Sequence, residues 1–146
     1  MKTIIIYEST HHENTKKLVD AIVKKYGIKA ADIDEAEKMD LSSYDLIGIA
    51  SGVAFGKFYQ KTESFVAKKL PKGKRVFFLY TCGRDNGKYA ASVSASAKAR
   101  NCTVAGVYGC QGFDTFGPFK FIGGVAKGHP TQDEINAAVN FFANLC

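Results

Sequence analysis

The sequence predicts an α/β protein in which a parallel sheet carries helices on both faces. Three observations predict it. Short apolar, β-branched runs alternate with longer segments of helical period along the whole 146 residues. The apolar runs lack polar alternation, as strands covered on both faces do. Turn and cap residues stand between the segments. Right-handed crossovers then leave few topologies, and ligands of such sheets bind beyond the carboxyl ends of the strands.

Thr3 to Glu8 is the first strand, and Ser9 to Asn14 is a polar turn. A helix is expected from Thr15 to Tyr26, with Leu18, Val19, Ile22 and Tyr26 on one face and Gly27 as its left-handed terminator. Lys29 to Asp34 alternates weakly, as an edge strand does. Asp45 to Ser51 is a buried strand, and Gly52 to Gly56 a loop. Phe58, Thr62, Phe65, Val66 and Lys69 recur at helical spacing over 58–70, and Pro71 and Gly73 stop that helix. Arg75 to Thr81 is a strand, Cys82 to Gly87 a loop, Lys88 to Arg100 an Ala/Ser-rich helix and Thr103 to Gly109 the last strand. Residues 110–130 are rich in Gly and Phe and have no period. In the closing helix, Thr131-x-x-Glu134 is a capping box, with Ile135, Ala138, Val139, Phe142 and Leu145 as the buried stripe.

The length suits one domain, 1–146, able to bury a core without staples. Hydrophobic residues are 46% and charged residues 23%, ordinary for a globular protein. No apolar run could cross a bilayer, and the run from Thr3 to Tyr7 is too short for a signal-peptide core, so a cytoplasmic protein without membrane insertion is expected. Cys82, Cys102, Cys110 and Cys146 form no CxxC pair, and His11, His12 and His129 complete no zinc pattern. Cys82 and Cys110 each follow a strand; they read as small buried thiols or as a redox pair. The net charge of +6 is spread over helix-face lysines such as Lys16, Lys17, Lys24, Lys25, Lys68 and Lys69. That pattern fits solvated helix surfaces better than a nucleic-acid interface.

The turn Ser9-Thr-His-His-Glu-Asn-Thr15 joins a strand to a helix N-terminus, where unsatisfied N–H groups and the helix dipole favour an anion. Simple capping by Ser9 or Asn14 is the alternative. The turn is neither GxGxxG nor GxxxxGK[ST], which excludes the dinucleotide and triphosphate fingerprints. A receiver domain would need an acidic pair, a phosphoacceptor Asp and a Lys where this chain has Glu8-Ser9, Ser51 and Cys110.

Tyr7-Glu-Ser-Thr-His-His-Glu-Asn-Thr15 resembles the flavodoxin phosphate loop, Ser51-Gly-Val-Ala-Phe-Gly56 the loop after the third flavodoxin strand, and Thr81-Cys-Gly83 the loop after the fourth. The tail from Gly112 to Gly124, with Lys127-Gly-His-Pro130, is similar to that of some short flavodoxin-family proteins. The resemblance spans the chain. It implies a single-domain flavodoxin-like three-layer sandwich with a five-stranded parallel sheet in the order 2-1-3-4-5 and bound flavin mononucleotide (FMN). It further implies that Ser9, Thr10, His11, His12, Asn14 and Thr15 hold the phosphate. Ser51, Gly52, Val53, Ala54, Phe55 and Gly56, with Thr81, Cys82, Gly83 and Arg84, would embrace the isoalloxazine ring.

The chain departs from the family in three ways. Glu13 stands where the family usually has Gly, so its carboxylate is expected to face solvent or pair with Lys16 or Lys17; the turn also has one extra residue. There is no Trp. Phe55, Phe58, Tyr59 or Tyr89 would supply an aromatic face, Phe55 and Tyr89 first, with core packing the alternative for each. The charge is basic where many flavodoxins are acidic; Arg84 and Lys88 would stabilise an anionic reduced flavin and make its second reduction potential less negative.

The resemblance implies an electron carrier between redox protein partners, a reductase and an acceptor with acidic docking surfaces, with the chain a monomer or weak dimer. A small FMN-dependent quinone or nitro reductase, or a protoporphyrinogen oxidase, is the alternative, with Tyr89, His129 and segment 110–130 serving the substrate. Phe113, Phe116, Phe119 and Phe121 would cover the flavin edge, dock a partner, or close the core beside the edge strand.

Overall fold

The structure is a computed structural model that describes residues 1–9, 13–113, 124 and 126–146. Chain order is β1 (Thr3–Glu8), α1 (Asn14–Tyr26), β2 (Lys29–Asp32), α2 (Ile33–Ala36), β3 (Leu46–Ala54), β4 (Lys57–Phe58), α3 (Gln60–Lys68), β5 (Arg75–Cys82), α4 (Ala91–Ala99), β6 (Thr103–Gln111) and α5 (Gln132–Ala143). Five strands pair in parallel in the order β2-β1-β3-β5-β6, and β4 folds back on β3. With that two-residue hairpin arm set aside, this is the predicted 2-1-3-4-5 sheet.

The β-branched runs form strands because each residue is buried on one of two covered faces. Ile4, Ile6, Ile47, Ile49, Val76 and Phe78 pack with Phe65 and Val66 of α3 and Val93 and Ala97 of α4. Their neighbours Ile5, Leu46, Phe77 and Leu79 pack with Val19 and Ile22 of α1 and Phe142 of α5. Two aromatic rings lie across glycines on adjacent strands. A Cβ at Gly48 would stand 2.3 Å from Phe77, and one at Gly109 would stand 2.0 Å from Tyr80.

Several boundaries differ from expectation. The edge strand stops at Asp32 rather than Asp34, because the Asp32 carboxylate accepts the Glu35 N–H at 2.9 Å and starts α2. Four residues are too few to show a helical stripe. Residues 52–54, expected in a loop, extend β3, and Phe58, expected in a helix, pairs with Val53. The helix over 58–70 is therefore shorter, Gln60–Lys68. The helix expected over 88–100 spans Ala91–Ala99, β5 runs through Cys82, and β6 runs on to Gln111. Gly27 does terminate α1 in the left-handed region, at φ 65°, while Tyr26 is 38% exposed and only edges onto Phe142. The predicted capping box at Thr131 and Glu134 is present.

Candidate functional site

The strand order reverses between β1 and β3, and in sheets of this kind the loops that follow the strands at such a point diverge into a crevice at the carboxyl edge. The first wall is the β1–α1 turn. Ser9 Oγ accepts the Lys16 N–H at 3.2 Å, so Ser9, not Asn14, caps the helix. Asn14 is buried and turned the other way: its Nδ2 donates to the Phe113 carbonyl at 2.8 Å, and a Cβ at Gly112 would meet it at 2.7 Å. Thr15 Oγ1 and Thr81 Oγ1 share a buried 2.8 Å hydrogen bond, tying the start of α1 to the end of β5. Thr10, His11 and His12 lie outside the described residues.

Glu13 is exposed and left-handed, at φ 55°. That backbone state explains why a glycine suits the position: an L side chain there costs on the order of 1 kcal/mol. The N-termini of α3 and α5 are already met by the chain's own carboxylates. Glu8 Oε1 accepts from Thr62 Oγ1 at 2.7 Å and Thr62 N at 3.2 Å, and Glu134 Oε1 accepts the Thr131 N–H at 2.8 Å. By contrast, α1 has no acidic residue in its first turn, the exposed Glu13 at its N-cap makes no cap bond, and the neutral Ser9 hydroxyl is what meets the Lys16 N–H. Its dipole can act on an anion in the crevice.

The second wall is the β3–β4 hairpin. Ser51 is buried; its hydroxyl donates to the Gly52 carbonyl at 2.8 Å and accepts the Tyr59 N–H at 3.2 Å. Gly52 has no room for a side chain, since a Cβ would lie 2.3 Å from the Tyr59 hydroxyl. Val53 and Ala54 pair with Phe58 and Lys57, leaving Phe55 and Gly56 as a two-residue turn at φ 56° and 80°. Both values are positive, as in a type I′ turn, where Asn-Gly is the favoured pair. Phe55 is nevertheless Phe, and it is 90% exposed. Core packing is thereby excluded for Phe55, whereas Phe58 is a core residue against Phe78 and Tyr80.

The third wall is the loop after β5. Thr81, Cys82 and Gly83 are buried, and Arg84 and Lys88 are exposed. Tyr89 is half-buried; its ring stands edge-on to Tyr80 at 5.8 Å, and its hydroxyl donates to the Arg84 carbonyl at 2.6 Å. Three residues that hold this loop escaped the sequence reading. Asp85 Oδ1 accepts from the Tyr80 hydroxyl at 2.7 Å and from Gly87 N–H at 2.8 Å, and Gln111 Nε2 donates to the Gly83 carbonyl at 3.2 Å. Burial, and then the Asp85 bond, push the Tyr80 hydroxyl pKa up, so it stays a donor. Asp85-Asn86-Gly87 is an Asx-turn sequence, and that signal could have found Asp85.

Cys82 packs with the α3/α4 layer and Cys110 with Leu18 and Ala138 on the other face. Side chains on opposite faces of a sheet do not form a disulfide, so the redox-pair reading fails. Burial, reinforced by Glu134, pushes the Cys110 thiol up to about 12.

Segment 110–130 begins as strand, and Phe113 N–H donates to the His129 carbonyl at 2.9 Å, joining its two ends. Phe116, Phe119 and Phe121 lie outside the described residues. His129 Nδ1 pairs with Glu134 Oε1 at 2.5 Å. Burial raises the Glu134 pKa, but the bonds from Thr131 and His129 outweigh it and the net shift is downward. A lowered carboxyl pKa adds stability above its ordinary value of 4.5, lost as pH falls through the lowered one. Acid unfolding followed by circular dichroism should therefore be shallower for Glu134→Gln than for the parent across that window. Equal slopes would refute the linkage.

A parallel sheet in this order, with its crevice at the switch point, defines a doubly wound α/β binding protein. The chain belongs to the flavodoxin family: the flavodoxin domain matches residues 4–110. It is also 32% identical over 147 residues to an uncharacterized protein of Methanocaldococcus jannaschii, covering 99% of this chain and 98% of that one. Among solved structures, oxidised flavodoxin 2 of Bacillus cereus is similar at a TM-score of 0.69 and 15% identity, covering 99% and 97% of the two chains. The general stress protein 14 of Treponema denticola, solved in complex with FMN, matches at 0.66 and 14%, covering 99% and 98%. Flavodoxins are themselves a standard instance of the switch-point rule.

Proposed function

We propose that the crevice takes FMN and that this chain carries electrons between redox protein partners. One observation carries the reading: Phe55, a large apolar side chain, stands 90% exposed at a left-handed turn position beside the switch-point crevice. Strain and exposure together are costs that a ligand-facing ring can offset. The anion-ready end of α1 supports it, as does family membership. The flavin, when bound, supplies reversible one- and two-electron chemistry.

The chain's residues would do the rest. Ser9, Asn14 and Thr15, with Thr10, His11 and His12, would surround the phosphate. Asn14 and Thr15 are already anchored by Phe113 and Thr81. Ser51, Gly52, Val53, Ala54 and Gly56 would hold Phe55 against one ring face. Thr81, Cys82, Gly83, Arg84 and Tyr89 would border the ring from the β5 side, with Arg84 and Lys88 adding positive charge. Among the described residues, no group of His, Cys, Asp and Glu is placed to hold a metal, and no helix is long and apolar enough to cross a membrane.

The test is a titration of the apoprotein with FMN and, separately, riboflavin. FMN fluorescence should be quenched at one equivalent. Riboflavin, lacking the phosphate, should bind at least roughly tenfold more weakly. Absence of quenching would end the FMN reading. Sustained turnover of NADPH with a quinone by the protein alone would replace the carrier by the reductase.

A further inference from the structure

Helices α1 and α5 lie side by side on one face of the sheet, and an open groove of about 760 Å³ runs between them. One wall is α1, with Lys17, Lys24 and Lys25, all exposed. The other is α5, whose lining side chains are amides such as Asn136. The floor is apolar, from the half-buried Ile135 and Val139 one helical turn apart. Among the described residues, no acidic one lines the groove.

The three lysines carry no acidic partner among the described residues, and Lys25 Nζ stands 5.7 Å over the Tyr26 ring. The acid on the same helix, Asp20, is engaged by Lys16 at 3.0 Å. Helix stability accounts for Lys24 and Lys25, which sit in the last turn where cations complement the dipole. It does not account for Lys17, one turn into α1, where a cation opposes the dipole.

We propose that this groove docks an acidic amphipathic helix of a protein partner. The occupant's apolar ridge would lie on Ile135 and Val139, and its Glu or Asp side would face α1. A third helix against a pair of helices is a common recognition mode, read by apolar anchors at helical spacing. The apolar floor favours a protein over a nucleic acid, whose phosphates would leave Ile135 and Val139 unused. This deepens the carrier reading by naming where a partner sits, and it is measured separately from cofactor binding.

The probe is an 18-residue helical peptide with Leu at i, i+4, i+7 and i+11 and Glu along one flank. It is titrated into isotope-labelled full-length protein, with and without FMN. Amide shifts should be confined to α1 and α5, and affinity should weaken as salt rises. The triple variant K17E/K24E/K25E should lose at least roughly tenfold in affinity, and K17Q/K24Q/K25Q less. Both should quench FMN as the parent does, so a failed docking site is distinct from a failed flavin site. Shifts outside the groove, equal binding of the peptide with Glu changed to Lys, or indifference to the triple substitution would overturn the proposal. So would a 12-nucleotide single strand of DNA binding at these lysines where the peptide does not.

Discussion

Phe55→Asn should make the fold more stable by about 1 kcal/mol while weakening FMN binding roughly tenfold. The two effects have opposite signs because, on the proposed function, the residue would serve the crevice at the expense of its own turn. At φ 56° a Phe backbone is strained, and Asn-Gly is the pair that a type I′ hairpin prefers. With 90% of the side chain exposed, the substitution forfeits little burial. What it removes is an aromatic face, and stacked aromatic pairs contribute on the order of 1 kcal/mol beyond their area. Denaturant midpoints and FMN titrations on the same preparations measure both, and Phe55→Tyr should keep binding near the parent's. A variant that binds FMN as tightly as the parent would remove Phe55 from the site.

Gly109→Ala should cost about 2 kcal/mol of stability and loosen the loop after β5. Its Cβ would enter the Tyr80 ring, at 2.0 Å from the nearest carbon. That ring is 4% exposed and flanked by Phe58 and Tyr89, so it has little freedom to give way. Any displacement pulls its hydroxyl from Asp85, the residue that also gathers Gly87 N–H. Tyr80→Phe is the control: it keeps the ring, removes only the hydroxyl bond and should cost about 1 kcal/mol. Hydrogen exchange at 83–89 should rise in both, more in Gly109→Ala. A Gly109→Ala protein within 0.5 kcal/mol of the parent would contradict the packing argument.

The functional consequence of both substitutions lies in one layer, the loops above the strands. Phe55 shapes the loop between β3 and β4, and Tyr80 anchors the loop after β5. These loops are neighbours because β3 and β5 pair directly, Ser51 opposite Tyr80 and Gly52 opposite Thr81. Thr81 in turn reaches Thr15 at the start of α1. The three loops are thus tied together by the β3–β5 ladder and one buried hydroxyl pair.

The fold class, the strand order implied by the family likeness, and the three loops at the crevice were legible in the linear chain. The strand order came through the family likeness; the fold class and the loop positions rest on local information. Short β-branched runs such as Ile4-Ile5-Ile6 favour a doubly covered strand, and Gly27 and the Thr131–Glu134 box punctuate helices through their own backbone bonds. The position of Gly in the family's phosphate loop likewise pointed to Glu13, and its left-handed φ shows why.

What tertiary structure alone decided was set by contacts between residues far apart in the chain. Asn14 turned from a helix cap into a partner of Phe113, ninety-nine positions away, because that carbonyl lies over α1 only once β6 has paired. Phe58 joined the core while Phe55 was left exposed, because the hairpin pairing with Val53 and Ala54, not helical period, fixes which side chains point inward. Cys82 and Cys110, adjacent in the sheet, were parted by the pleat that sends them to opposite faces. Periodicity along one segment cannot encode such choices, since each depends on which strand lies beside it and in what register.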